Sequence, residues 1–206
     1  MSVAPPLAAL PVPLPRSELP VDTVAMARWL LGKHLVHAHP EGLTSGRIVE
    51  TEAYVLGDTS SHAHRGETQR NRSMFLGPGH AYVYFIYGSW FALNVSAEPA
   101  GIGAGVLIRA IEPIHGIPLM ERRRGSTILH DLARGPGRLA TAMAIDRTLD
   151  GMDLFGGGPL RLCAEDRPVE VIGESVRIGL SRETERVLRF FERGSRFVSG
   201  PKRLGR

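Results

Sequence analysis

Segments rich in β-branched and aromatic residues, separated by short glycine-containing turns, fill the middle of the chain. They predict strands over residues 33–38, 44–54, 81–86, 91–96 and 106–111. Residues 39–42 suit a turn between the first two strands, and Gly88 and Ser89 suit a tighter turn between the next two. Because strands joined by such short turns run antiparallel, the chain is predicted to fold around a mainly antiparallel sheet.

Helices are predicted before and after this sheet region. Asp22 is a suitable N-cap for a helix over residues 23–31, and Pro136 suits the first turn of a helix over residues 136–145. The C-terminal part predicts three short strands and then an amphipathic helix, over residues 160–162, 169–172, 176–178 and 183–192. The run of three arginines at residues 122–124 is typical of a solvated basic loop. The predicted fold class is therefore α+β.

The length of 206 residues, with 43% hydrophobic residues, suits one domain with a core of ordinary size. Prolines interrupt the apolar first twenty residues and no basic residue precedes them, so this segment fits neither a signal peptide nor a membrane span. We therefore predict a flexible, proline-rich arm over residues 1–20 and a single domain over residues 21–206, with no membrane partner.

Cysteine content and charge indicate the compartment and the class of partner. The only cysteine, Cys163, cannot form an internal disulfide, which favours an intracellular, cytoplasmic protein. The net charge of +4 favours a polyanionic partner such as nucleic acid, although so small an excess is also common in proteins that bind none.

Glu52 is the acid best placed to carry chemistry. Alternation along the predicted strand sorts its residues into two faces, with Ile48, Glu50, Glu52 and Tyr54 on one and Val49, Thr51 and Ala53 on the other. Two acids on one strand face are typical of a solvated surface. A carboxylate beside aromatic rings can instead activate water next to a stacked nucleobase. The strand alone leaves both interpretations open.

Tyrosines are concentrated in the predicted hairpin over residues 81–96. Tyr82 and Tyr84 share one strand face, where aromatic residues usually serve packing. Tyr87 differs because it adjoins Gly88 at the tip, where a ring has few neighbours. A ring in that position could act as a wedge between the bases of a duplex.

Further polar candidates lie in the long loop over residues 55–79 and in the strand after it. His62 and His64 fit either surface histidines or groups that orient a water or a phosphate. A zinc site has little support, because neither a Cys-x-x-Cys nor a His-Glu-x-x-His pattern is present. Arg109 interrupts an apolar strand, so its charge needs an acid or a phosphate as a partner.

Taken together, these segments are similar to the alkyladenine (3-methyladenine) DNA glycosylase family. The matching runs, in chain order, are residues 46–54, 61–63, 70–72, 74–75, 82–88, 94–95, 107–113, 135–139 and 193–195. Their order and spacing are specific, and only the proline-rich arm and the last few residues fall outside the resemblance. The resemblance implies a single compact α+β domain with a curved, mainly antiparallel sheet, flanking helices and a protruding β-hairpin.

The resemblance also implies catalytic roles. Glu52 would be the general base that deprotonates the attacking water, while His62 and Arg109 would help to hold that water and the nearby backbone phosphate. One carboxylate can suffice because alkylation places a positive charge on the purine and makes it a good leaving group, whereas most glycosidases need two acids.

The base pocket implied by the resemblance is aromatic. The flipped base would be sandwiched by the side chains of Tyr54, His62 and Tyr84, and supported from beside the pocket by Tyr82. Asn94 would disfavour the exocyclic amine of normal guanine, and Tyr87 would fill the gap that the flipped nucleotide leaves in the duplex.

The implied function is base excision repair by a monomeric enzyme that needs no metal or organic cofactor. It would flip alkylated or deaminated purines out of double-stranded DNA and hydrolyse the N-glycosidic bond. The only lysines, Lys33 and Lys202, do not accompany Glu52 and Tyr84, so the enzyme should be monofunctional and leave an abasic site. A non-catalytic lesion-binding protein would not need Glu52, and a metal-dependent nuclease would lose its activity with a chelator.

Overall fold

The sheet contains eight strands in the part of the chain that the structure describes, and its central strand is 13 residues long. This computed structural model describes residues 12–86, 88, 90–201 and 204. The strands are His34–His39 (β1), Gly42–Tyr54 (β2), Ala81–Ile86 (β3), Trp90–Ser96 (β4), Gly105–His115 (β5), Leu160–Cys163 (β6), Ile172–Ser175 (β7) and Arg189–Glu192 (β8). The main order is β3-β4-β5-β2-β1-β6, with antiparallel pairings. The curled sheet and its flanking helices confirm the predicted α+β class.

A β-bulge in β2 separates residues that simple alternation would place together. Pairing with β5 skips Val49, so Ile48 and Glu50 face consecutive residues of β5. Ile48 packs in the main core with Ala53, whereas Val49 packs in a smaller cluster with Phe191. The prediction that Ile48 shares a face with Glu50 is therefore wrong, because the extra residue of a bulge reverses the alternation.

Along one of its edges, β2 pairs with two different strands in succession. Residues 42–47 pair with β1, and residues 50–52 pair with β8. β7 then pairs with the outer edge of β8. This arrangement brings the C-terminal part of the chain beside Glu52, although the two are far apart in sequence.

Among the described residues, three α-helices flank the sheet: Thr23–Trp29 (α1), Ile117–Arg124 (α2) and Pro136–Ala142 (α3). The Asp22 carboxylate accepts a hydrogen bond from the Ala25 amide at 2.7 Å, which confirms the predicted cap of α1. α1 and α3 each end slightly earlier than predicted. The sequence did not predict α2, whose last turn is the arginine run assigned to a loop; Arg123 there donates to Glu41 at 2.9 Å.

The C-terminal predictions are partly wrong. β6 confirms the strand over residues 160–162. β7 shares only Ile172 with the strand predicted over residues 169–172 and ends before the one predicted over residues 176–178. The helix predicted over residues 183–192 is absent from the described chain, and its last four residues form β8 instead. Pairing of β8 with β2 and β7 satisfies its backbone, which outweighs a weak local helix preference.

Residues 12–20 of the predicted arm lie against the domain. Leu14 and Leu19 are buried, and the Leu14 amide donates to the Leu162 carbonyl at 3.3 Å. Residues 1–11 lie outside the described residues. Within the described ranges, no helix is long and apolar enough to cross a membrane.

The close approach of β2 and β5 gives a test of the fold. A methyl group at Gly46 would lie 2.7 Å from the Glu112 carbonyl oxygen, so Gly46→Ala should destabilise the protein by about 1–3 kcal/mol. Thermal unfolding should show a loss of about 2–4 °C per kcal/mol. Gly77→Ala is the matched control, because nothing lies within 4 Å of the added methyl group. Equal melting temperatures for the two variants would contradict this packing.

Candidate active site

A cavity of about 300 Å³ opens where β2, β3, β4 and β5 meet two loops. Six of the predicted site residues line it: Tyr54, His62, Tyr82, Tyr84, Asn94 and Arg109. The tyrosines, Asn94 and Arg109 come from strands, whereas His62 comes from the loop before β3. Tyr87 lies outside the described residues. The strands thus supply a fixed frame for most of the cavity.

Glu52 lies behind the cavity lining and has no solvent exposure. One carboxylate oxygen, Oε1, accepts a hydrogen bond from the Ile178 amide at 2.7 Å. The other, Oε2, accepts from the Tyr54 hydroxyl at 3.1 Å and lies 3.2 Å from Arg109 Nη1. All three partners line the cavity. A carboxylate has about four acceptor positions, so these three contacts leave one acceptor position of Glu52 without a partner among the described residues.

Glu50 is equally buried, so the solvated acidic face that alternation allowed is wrong. Arg109 Nε and Arg189 Nε donate to Glu50 Oε1 at 2.9 and 2.7 Å. The Ser199 amide donates to Glu50 Oε2 at 2.6 Å. Arg109 therefore has acids as partners: it bridges Glu50 and Glu52.

The surroundings move the pKa values of the two acids in opposite directions. Burial raises the pKa of Glu52, against the lowering effects of Arg109 and the Ile178 amide. Burial also disfavours the charge of Glu50, but Arg109 and Arg189 outweigh it and lower the pKa of Glu50. Glu52 is thus the acid that gains a proton more easily.

Three rings form one aromatic wall of the cavity. Tyr82 and Tyr84 stack with their centroids 5.2 Å apart and their planes at 21°. The His62 ring stands at 80° to Tyr84 with a centroid distance of 4.4 Å, and His62 Nδ1 lies 3.0 Å from the Tyr82 hydroxyl. Because these rings touch, a flat base cannot enter between them. Among the described residues of the lining, Tyr54 is the remaining aromatic side chain that could form an opposite wall.

Two further predicted site residues, Asn94 and His62, are polar groups of the cavity lining. Asn94 is buried, and its Nδ2 donates to the Tyr82 carbonyl at 3.3 Å. Desolvation and then the nearby Arg70 cation lower the pKa of His62, which favours a neutral ring at pH 7. Among the described residues, no group of three His, Cys, Asp or Glu side chains is arranged to hold a metal ion.

Arg177 supports the site and was not among the predicted site residues. Its guanidinium lies 4.7 Å from the centroid of the Tyr54 ring, donates to the Ala53 carbonyl at 3.0 Å and pairs with buried Asp58. It thereby joins the loop after β2 to the segment whose Ile178 amide holds Glu52. The sequence did offer a signal for Arg177, because this arginine lies between apolar residues, as Arg109 does.

The chain is similar to known proteins over most of its length. Residues 17–196 match the family model described as methylpurine-DNA glycosylase. A protein of Mesorhizobium japonicum is 59% identical over 192 residues, which cover 93% of this chain and 92% of that protein. A protein of Paraburkholderia phytofirmans is 56% identical over 196 residues, with 95% and 92% covered, and one of Methanoculleus marisnigri is 45% identical over 190 residues, with 90% and 98% covered.

All three relatives bear the provisional name 3-methyladenine DNA glycosylase. The family match and these identities extend over most of the chain, including β2, the tyrosine-rich hairpin and the segment that holds Glu52. The chain therefore belongs to the methylpurine-DNA glycosylase family.

Proposed function

We propose that this DNA glycosylase removes damaged purines from double-stranded DNA with a water activated by Glu52. The observation that carries the proposal is a fully buried carboxylate held by three groups of an aromatic-lined cavity. A water bound at the remaining acceptor position of Glu52 would face a nucleoside in that cavity. Its proton would pass to Glu52, and its oxygen would attack the anomeric carbon as the base leaves.

The proposed substrates are alkylated purines such as 3-methyladenine, the lesion in the names of the relatives, together with deaminated purines. Alkylation at a ring nitrogen gives the base a positive charge and so improves it as a leaving group. The carboxylate of Glu52 would also stabilise the positive charge that develops on the sugar. A damaged base pairs and stacks less well, which lowers the cost of flipping it.

The proposed base site has two sides. His62 and Tyr84, supported by Tyr82, form one aromatic wall, and Tyr54 forms the other. Asn94, buried in the lining, would reject the exocyclic amine of guanine. Tyr87 would fill the space vacated in the duplex. We further propose that the protein acts on the DNA inside the cell as a monomer.

Replacement of the proposed base gives the most direct test. Glu52→Gln should lower the single-turnover rate of base release by ~10²- to 10⁴-fold, because the amide cannot accept the water's proton. Affinity for the lesion duplex should stay close to that of the parent. Glu67→Gln, at an exposed acid of the nearby loop, is the control and should retain full activity. A Glu52→Gln rate within about threefold of the parent would refute the assignment.

The pH dependence should report the raised pKa of Glu52. As the pH falls through this pKa, Glu52 gains a proton and the base is lost, so the rate should fall about tenfold per pH unit. This fall should begin above the ordinary glutamate value of about 4.3. Single-turnover rates at saturating protein measure it.

The variant His62→Gln distinguishes ionisation of Glu52 from ionisation of His62. Its rate should still fall at acidic pH, because Glu52 is unchanged. A parent rate that stays flat down to about pH 4 contradicts the raised pKa. Loss of the fall in His62→Gln would assign it to His62 instead.

The distribution of lysines predicts a water-only, monofunctional reaction. Lys33 pairs with Glu165 and lies 4.8 Å from the Trp29 ring, and it does not line the cavity. Lys202 lies outside the described residues. The protein should release base in EDTA, and borohydride should trap no protein–DNA adduct. An end-labelled lesion duplex tests both points, and strand breaks before alkali treatment would contradict the mechanism.

A further inference from the structure

A second cleft, of about 330 Å³, adjoins the base pocket. The two cavities share Ser61, His62 and Tyr82, so these side chains form the partition between them. The cleft is also lined by three arginines, Arg65, Arg70 and Arg182. The described residues that line it include no acidic side chain.

The positive charge of this cleft is largely unneutralised. Within the described part of the chain, Arg65 and Arg182 are exposed and have neither an ion pair nor a side-chain hydrogen bond. The Arg70 side chain donates, among the described residues, only to the Phe85 carbonyl, at a long 3.4 Å. Glu183, the acid next to Arg182 in sequence, accepts from Thr59 at 2.9 Å and lies 3.9 Å from Arg186. Cations grouped in a cleft concentrate its field and attract an anion.

The loop that carries two of these arginines has a defined shape. Asn71 is buried, and its Nδ2 donates to the carbonyls of His62 and Gly66 at 2.9 and 3.1 Å. Its Oδ1 accepts from the Thr68 amide at 2.6 Å. These bonds fix the backbone on both sides of Arg65 and two residues before Arg70. The loop therefore holds its part of the cleft in a fixed shape.

Arg109, which resemblance assigned to a phosphate as well as to the water, is already occupied. The three nitrogens of its guanidinium group lie 2.9 Å from a Glu50 oxygen, 3.2 Å from a Glu52 oxygen and 3.3 Å from the Ser199 hydroxyl oxygen. A nucleotide flipped into the base pocket would nevertheless bring its flanking phosphates to the pocket mouth. Exposed guanidinium groups beside that mouth suit a phosphate because they present several donors and a fixed charge.

We propose that Arg65, Arg70 and Arg182 bind a DNA backbone phosphate next to the flipped nucleotide. This inference rests on the proposed function, since it takes the base to lie in the neighbouring pocket. The phosphate would lie across the partition from the base, so one nucleotide would be held from both sides of His62. The ligand class is a phosphodiester of the damaged strand.

Binding to a duplex with one tetrahydrofuran abasic analogue tests the proposal without requiring catalysis. The protein variant is Arg65→Gln combined with Arg182→Gln, and affinity is measured over a series of KCl concentrations. Loss of charge-assisted bonds should weaken binding about tenfold at low salt. The slope of log affinity against log salt should become shallower by about one to two. Melting temperature should not change, because both side chains are exposed and unpaired.

A neutral methylphosphonate, placed in separate duplexes at the linkage on either side of the analogue, identifies the phosphate. At one of these linkages it should weaken binding by the parent about tenfold and leave binding by the double variant nearly unchanged. Arg122→Gln is the control: this exposed arginine lies in α2, beside the far end of β2, and its variant should behave like the parent.

An unchanged affinity and salt slope in the double variant would overturn the proposal. Equal losses of parent and variant on the methylphosphonate duplexes would also overturn it, because the arginines would then contact neither phosphate. Base release by the parent protein is measured separately on a 3-methyladenine duplex. Its absence would refute the proposed function, while the binding experiment would still decide the phosphate site.

Discussion

Two buried carboxylates and two buried arginines are the constraint on which the site depends. Glu50, Glu52, Arg109 and Arg189 cancel one another's charge, and Arg109 bridges the two acids. Removing one member of a buried pair typically costs about 3–5 kcal/mol, a large part of the roughly 5–15 kcal/mol that stabilises a whole domain. β2, β5 and β8 must therefore keep the register that satisfies these charges. The same register holds Glu52 behind the cavity.

The cluster also separates two acids of the same strand into different roles. Glu50 bonds to both arginines and to the Ser199 amide, which keeps its pKa low. Glu52 contacts one arginine, Arg109, and accepts hydrogen bonds from the Ile178 amide and the Tyr54 hydroxyl. The effect of burial is larger than theirs, so the pKa of Glu52 rises. The bulge at Val49 contributes to this difference between the two acids, because it turns Glu50 away from the main core. Different surroundings of paired acids are a common basis for different functions.

Local sequence patterns predicted the part of the fold that forms through short-range pairing. The first five strands, the cap of α1 and the contact between Glu52 and Tyr54 follow from alternation, turn residues and helix signals. β7 and β8 were mispredicted because β8 depends on pairing with a distant segment of β2, and β7 pairs in turn with β8. Burial of Glu50 depends on Arg189 and Ser199, which are 139 and 149 residues away in sequence. A local sequence pattern cannot predict contacts over such a separation.

With Glu52 as the proposed base, the rest of the cavity would favour a leaving group that is already charged. The described residues of the lining include no carboxyl group that could protonate a departing purine. Burial raises the pKa of Tyr54, whose hydroxyl donates to Glu52, and desolvation lowers the pKa of His62, so neither readily supplies a proton at neutral pH. An alkylated purine leaves as a neutral molecule, whereas an undamaged purine has to leave as an anion. Under this proposal, an alkylated adenine and adenine itself are flat rings of similar shape that would fit the same aromatic walls, and the difference between them would arise as the glycosidic bond breaks.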